Sequence, residues 1–104
     1  MTLKEKQDEI DAWINQHKAG YWKPHEILGR IMEETGELAR EINHVYGPKP
    51  KKEGEKTNDL TGELGDVLFS LCCMANSMDI NLDESFRMAM DKCYGRDAER
   101  FEKR

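Results

Sequence analysis

Glu33-Glu34-Thr35-Gly36-Glu37 and, after a spacer of 25 residues, Glu63-Leu64-Gly65-Asp66 decide how this chain is read. Each segment sets two acids three residues apart. Three residues is close to one helical turn, so Glu34 and Glu37 point one way on a helix, as do Glu63 and Asp66. Apolar residues flank both segments at helical intervals. If the two helices pack together, four carboxylates converge. Like charges gathered in this way repel unless a cation sits among them. An oxygen-only ligand set suits a hard ion such as magnesium or manganese.

Working outward, four helices and one long loop account for the sequence. The first is expected from Leu3 to about Lys18, with Thr2 and Glu5 at capping-box spacing and Gly20 just past its end. The second starts near Pro24. Ile27, Leu28, Ile31, Leu38, Ile42 and Val45 give it an apolar stripe, and it stops before Gly47-Pro48. Residues 47–57 hold two prolines, two glycines and most of the local lysines, and read as a mobile loop. The third helix is expected from Asn58 or Asp59 to Met78. Leu60, Leu64, Val67, Leu68, Leu71, Ala75 and Met78 share one side of it, and Phe69, Cys72 and Cys73 extend apolar character round the other, which predicts a central position. The fourth follows Asn81, three before Glu84, and runs to about Phe101. No strand alternation and no long repeat is present.

At 104 residues the chain reads as one domain, 1–104, with a modest core for which self-association is a common remedy. The net charge of −5 and the lack of a basic face argue against general binding to nucleic acid. Lys49, Lys51, Lys52 and Lys56 are diluted by Glu53 and Glu55 and read as a solvated loop. The N-terminus has no apolar signal segment, and Val67 to Ala75 is too short to span a bilayer, so no membrane association and a cytoplasmic location are expected. Cys72, Cys73 and Cys93 lack metal-ligand spacing and read as free thiols in a reducing compartment.

On a helical wheel, Glu34, Glu37 and Glu41 form a stripe beside the apolar stripe, and Glu63, Asp66 and Ser70 form a matching border. Two readings stay open. One is a solvated acidic rim with local pairs such as Arg30–Glu34. The other is a metal site. Gly36 and Gly65 bear on the choice, because glycine inside a helix costs roughly 1 kcal/mol relative to alanine. Close helix approach is the usual reason to tolerate it. Other metal sites fit less well. A di-iron bundle uses Glu-x-x-His pairs, and zinc uses Cys or His at set spacing, whereas His17, His25 and His44 are scattered. Asp79 to Asp83 hints at a calcium loop but has Glu84 where glycine is needed and Met90 where the last acid belongs.

Glu33-Glu34-x-x-Glu37 with Glu63-x-x-Asp66 resembles the EExxE…ExxD signature of the MazG family, all-α nucleoside triphosphate pyrophosphohydrolases. Gly36-Glu37-Leu38-Ala39-Arg40-Glu41, Glu63-Leu64-Gly65-Asp66-Val67-Leu68 and Lys92-x-x-x-Arg96 also resemble family segments, and the likeness runs from about Tyr21 to Phe101. The resemblance implies an all-α, four-helix bundle completed by oligomerisation, as a homodimer or homotetramer. It implies that Glu34, Glu37, Glu63 and Asp66 hold magnesium, with manganese a possible substitute. It further implies cleavage of a nucleoside triphosphate between the α- and β-phosphates, giving a monophosphate and pyrophosphate. Glu33 is then a candidate base or supporting group. Lys92 and Arg96, one turn apart on the fourth helix, are candidates for phosphate. Trp22, with Tyr21, stands where some relatives place base-contacting aromatics, though a staple or core role fits it equally. Some relatives carry an aromatic one turn after the final acid, and this chain has Ser70 there. The alternatives are a relative acting on phosphoribosyl-ATP or dUTP, and a non-catalytic helical interaction protein whose acids form only a rim.

Overall fold

The computed structural model describes residues 2–48 and 60–104. The lysines from Lys49 to Lys56 and the expected start of the third helix at Asn58 or Asp59 lie outside the described residues. Four helices follow one another: α1 (Leu3–Ile14), α2 (Pro24–Tyr46), α3 (Leu60–Ser77) and α4 (Leu82–Tyr94). No strand occurs among the described residues.

Local chemistry sets the helix ends. The α1 capping box forms, with the Glu5 N–H donating to Thr2 Oγ1 at 3.0 Å and the Thr2 N–H to Glu5 Oε1 at 3.1 Å. A second cap comes from far along the chain. Asp83 accepts from the Leu3 and Lys4 N–H groups, one oxygen each, at 3.1 Å, and so ties α1 to the first turn of α4. A carboxylate at a helix N-terminus satisfies unpaired donors and complements the helix dipole. α1 stops at Ile14, short of Lys18, because the next residues tighten into i→i−3 bonds, Gln16 to Trp13 and His17 to Ile14. α3 closes where the Ile80 N–H reaches back to the Ala75 carbonyl at 2.8 Å, with Asp79 left-handed at φ 56°. At α4, Asn81 caps through the Asp83 N–H at 2.9 Å rather than through Glu84. α4 ends at Tyr94, with Gly95 as its cap, and not at Phe101.

α2 packs along α3, while α1 packs against both α3 and α4. Among the described residues the buried apolar ones are few: Ile27, Cys72, Cys73 and Ala75. Between α1 and α3 the packing is polar. Gln7, 1% exposed, donates through Nε2 to Asn76 Oδ1 and to the Ile80 carbonyl, both at 2.8 Å, and accepts the Leu82 N–H at 2.9 Å. Asn76 Nδ2 donates to the Gln7 carbonyl at 3.0 Å and to the Tyr21 hydroxyl at 2.8 Å, and that hydroxyl donates to Asp11. The Tyr21 hydroxyl is pushed up to about 12, first by burial and then by its bond to Asp11. It therefore remains a donor at neutral pH.

The sequence reading expects α3 to be central, and it packs against both α1 and α2, yet much of its apolar stripe is left uncovered. Glu63 and Ser70 are buried on α3, as Glu34 and Glu41 are on α2, while Leu64, Leu68, Leu71 and Met78 stay exposed, as do Leu28, Met32, Ile42 and Val45. The reason is geometric. A helix apolar most of the way round needs cover on every side, and α2 and α1 cover only part of α3. The accessible surface of 8453 Å² exceeds the roughly 6000 Å² of a compact monomer of this mass. The radius of gyration, 17.3 Å, exceeds the roughly 13 Å of a closed domain.

Gly36 and Gly65 do not bring α2 and α3 into close contact. A Cβ added at Gly36 or at Gly65 would meet nothing within 4 Å. Neither glycine mediates close helix contact within the chain. Gly36→Ala and Gly65→Ala are each expected to raise the unfolding free energy by roughly 0.5–1 kcal/mol. Denaturant titration checks this, and a loss of stability would show that another molecule covers that helix face.

Candidate active site

Three of the four proposed ligands meet. Glu34 and Glu37 from α2 and Glu63 from α3 each offer one carboxylate oxygen, and these oxygens lie within 4.8 Å of one another. The i, i+3 spacing on α2 puts its two acids on one side, and the packing of α2 along α3 brings Glu63 across to them. Glu34 is 4% and Glu63 6% exposed, whereas Glu37 is open to solvent. Oε2 of Glu34 and Oε2 of Glu63 are buried without a hydrogen-bond donor. Burying a carboxylate oxygen without a partner is costly. Burial pushes the Glu63 carboxyl above its ordinary value, and the nearby Glu37, Asp66, Glu34 and Glu41 carboxylates push the same way.

A solvated rim does not bury its oxygens in this manner. The donor set is all carboxylate, it is converging, and two of its oxygens lack partners. That fits a hard divalent cation in charge, ligand type and direction. Glu41 is buried next along the α2 stripe, 3.8 Å from His44 Nδ1.

The remaining sequence-derived candidates fall in different places. Asp66 is exposed and outside the trio, but it shares a cleft with Glu34. Glu33 is exposed and bonded to Arg30, at 3.2 Å from Nη1. Arg30 Nη2 pairs with Glu34 Oε1 as well, so one guanidinium bridges an exposed and a buried carboxylate. Lys92 is exposed on the last turn of α4. Arg96 lies beyond that helix and folds onto Asp97, with Nε to Oδ1 at 3.1 Å and Nη2 to Oδ2 at 3.3 Å. The expected one-turn pairing of Lys92 with Arg96 is therefore not made, because Gly95 ends α4 between them. Neither residue lines the cleft.

That cleft, of about 490 Å³, opens beside the carboxylates. Glu34, Asp66 and Arg30 form its charged side. Trp13, Tyr21, Trp22 and Phe69 supply aromatic surface, with Ile27, Ser70 and Cys73 beneath. Trp22 thus lines the cleft. Sequence reasoning missed two walls. Trp13, from α1, packs edge-to-face on Phe69 with ring centroids 6.2 Å apart, and meets the His17 ring at a tilt, with centroids 4.8 Å apart. Nothing local marked Trp13 except its size, since the helix that carries it is far in sequence from the acids. Phe69, three residues after Asp66, provides the aromatic surface that was sought at Ser70, which is buried.

The chain is similar to known proteins in both sequence and fold. The MazG nucleotide pyrophosphohydrolase domain matches residues 23–101. YpjD of Bacillus subtilis (strain 168) is 49% identical over 100 residues, covering 96% of this chain and 90% of YpjD. The crystal structure of YpjD from Bacillus subtilis superposes with a TM-score of 0.80 at 50% identity, over 88% of this chain and 94% of the other. The crystal structure of the Bacillus-conserved MazG protein, a nucleotide pyrophosphohydrolase, gives 0.75 at 44% identity, over 88% of each chain. By fold, by sequence and by the match along most of its length, this chain belongs to the MazG nucleotide pyrophosphohydrolase family and is a hydrolase of nucleotide pyrophosphate bonds.

Proposed function

We propose that the chain hydrolyses nucleoside triphosphates, ribo- or deoxyribo-, to the monophosphate and pyrophosphate with magnesium, or manganese in its place. The observation that carries this reading is the pair of buried, donorless oxygens on Glu34 and Glu63, set within reach of Glu37 at the charged side of an aromatic cleft. Glu34, Glu37 and Glu63 would hold the ion, with Asp66 approaching from the cleft. A divalent ion there neutralises phosphate charge and lowers the pKa of a bound water. Trp22 and Trp13 hold the base by stacking, which is tolerant of base identity because every base has a π-face. In the proposed cleavage water attacks the α-phosphorus and the bond to the bridging oxygen breaks, releasing the monophosphate and pyrophosphate.

Of the two roles the family likeness implies for Glu33, its bond to Arg30 supports the supporting one. A phosphate role for Lys92 and Arg96 requires delivery from a neighbouring copy. The exposed apolar stripes of α2 and α3 support a homodimer or homotetramer, since the excess surface is of the size a subunit interface covers. Residues 1–104 are proposed as one functional unit, because α1, which precedes the matched segment, walls the cleft. Among the described residues no helix is long and apolar enough to cross a membrane. A cytoplasmic location is part of the proposal, supported by three unpaired thiols.

The test is a nucleotide panel assayed for pyrophosphate release with magnesium, with Glu37→Gln and Asp66→Asn as controls. Pyrophosphate is expected as product from at least one nucleoside triphosphate. Release of orthophosphate alone would overturn the cleavage position. Exclusive use of phosphoribosyl-ATP or dUTP would move the substrate to those alternatives.

A further inference from the structure

Arg30 is the side chain whose position the proposed reaction leaves unexplained. It lies one turn before Glu34 on α2 and spends its guanidinium on two carboxylates at once. On Glu34 it engages only Oε1, and Oε2 stays buried with no donor. Its own side chain is 46% exposed and borders the cleft beside Glu34 and Asp66, so rotation about its side-chain bonds can carry the guanidinium from the carboxylate into the cleft.

We propose that Arg30 is a stand-in cation: it holds Glu34 while no metal is bound, yields Glu34 to the divalent ion, and passes to the phosphates of the nucleotide. The proposal rests on the metal and substrate reading given above. Competition for Glu34 favours the exchange. Three converging carboxylates carry up to three negative charges, and Arg30 offsets one of them. A divalent ion offsets two and can take up the oxygen that Arg30 leaves idle, so Glu34 no longer depends on the arginine for a cation. The incoming polyphosphate is the strongest anion then available, and a planar guanidinium fits phosphate oxygens with two parallel donors. Glu33 keeps a second hold on the guanidinium during the exchange, at the outer edge of the site. The exchange asks nothing of the backbone, because donor and both acceptors belong to consecutive turns of one helix.

The experiment measures manganese binding by electron paramagnetic resonance, without nucleotide, and then binding of a non-hydrolysable α,β-methylene triphosphate analogue at saturating manganese. The proteins are the wild type, Arg30→Gln, Arg30→Lys and, as a control for surface charge, Arg87→Gln, whose arginine pairs with Asp91 on α4 away from the cleft. Arg30→Gln is expected to bind manganese roughly three- to tenfold more tightly, because a competing positive charge is gone. It is expected to bind the analogue roughly tenfold more weakly, because the donor to phosphate is gone. Arg30→Lys should keep near-normal manganese affinity yet lose analogue affinity, since it retains the charge without the fork. Arg87→Gln should match wild type in both. Tighter metal with weaker nucleotide is a pairing that loss of a purely structural contact does not produce. Manganese affinity equal to or weaker than wild type in Arg30→Gln would overturn the proposal. Absence of manganese binding in the wild type would overturn the reading of the site itself, and is distinguished by appearing before any substitution is made.

Discussion

Glu63→Gln is expected to lower hydrolysis by roughly a thousandfold and, in the same protein, to raise the melting temperature measured in chelator. The two effects have one cause. Glu63 is held in the fold with a buried, donorless oxygen, and burial and four nearby carboxylates push its pKa up. That arrangement works against the metal-free fold, and under the proposed metal reading a cation completes it. Glutamine keeps the shape, removes the charge and brings an amide that can donate to the neighbouring acids. Loss of a ligand that helps stabilise developing phosphate charge is a loss of several kcal/mol at the transition state in comparable sites, hence the fold-change. The pH dependence follows with its sign. A carboxyl whose folded pKa is raised binds more protons in the folded state than in the unfolded one. Its contribution is therefore fully present below the ordinary carboxylate range and is lost as pH rises through the raised value. In chelator, wild-type melting temperature should rise as pH falls from neutral toward that range, and Glu63→Gln should flatten the slope. Saturating magnesium should reverse the wild-type trend, because the ion binds the ionised form and stabilises by mass action. A wild-type melting temperature that ignores both pH and magnesium would return the acids to a surface rim.

Gln7→Ala is expected to cost roughly 3 kcal/mol or more, the largest loss of stability for a single polar substitution in this chain. Gln7 is fully buried and uses its whole amide, both donors and the acceptor. Alanine leaves Asn76 Oδ1, the Ile80 carbonyl and the Leu82 N–H without their partner, each at a cost of about 1–3 kcal/mol when no water replaces it. Those groups lie on α3, on the α3–α4 turn and at the start of α4. The loss therefore uncouples three elements at once. For a domain of this size it corresponds to a fall in melting temperature of roughly 12–24 °C. Gln7→Glu separates volume from hydrogen bonding. It keeps the size and the acceptor for Leu82 but faces two acceptors with no donors, so it should fall nearly as far. A Gln7→Glu protein as stable as wild type would show that the network is not what joins α1 to α3 and α4.

The acid pairs were legible because helical spacing is a local property. Glu34 with Glu37 needs only the turn of one helix, and Thr2, Pro24, Asn81 and Gly47 mark helix ends by chemistry within a few residues. The end of α4 was misread because apolar residues continue to Phe101 while Gly95 interrupts the helix. The convergence of Glu63 on Glu34 and Glu37 was conditional on packing, and the glycines offered as its cause proved to face open space. Trp13 and Phe69 were passed over for the same reason, whereas the Arg30–Glu34 pair, being local, was read from spacing. What Trp13 and Phe69 do depends on a neighbour far away in sequence or on which side of the helix is covered.

The sequence by itself determined the helices, the charged edge of α2 and α3, and the chemistry those carboxylates can perform, because these follow from residue type and a spacing of three or four. Only the tertiary structure decided which side of α3 is covered. It buried Glu34 and Glu63 and left Leu64, Leu68 and Leu71 open, contrary to what hydropathy alone prescribes. The physical reason is that burial belongs to pairs of surfaces. In a chain whose helices do not enclose α3, an apolar stripe has no partner within the molecule, while two acidic borders face each other across α2 and α3 and become a site.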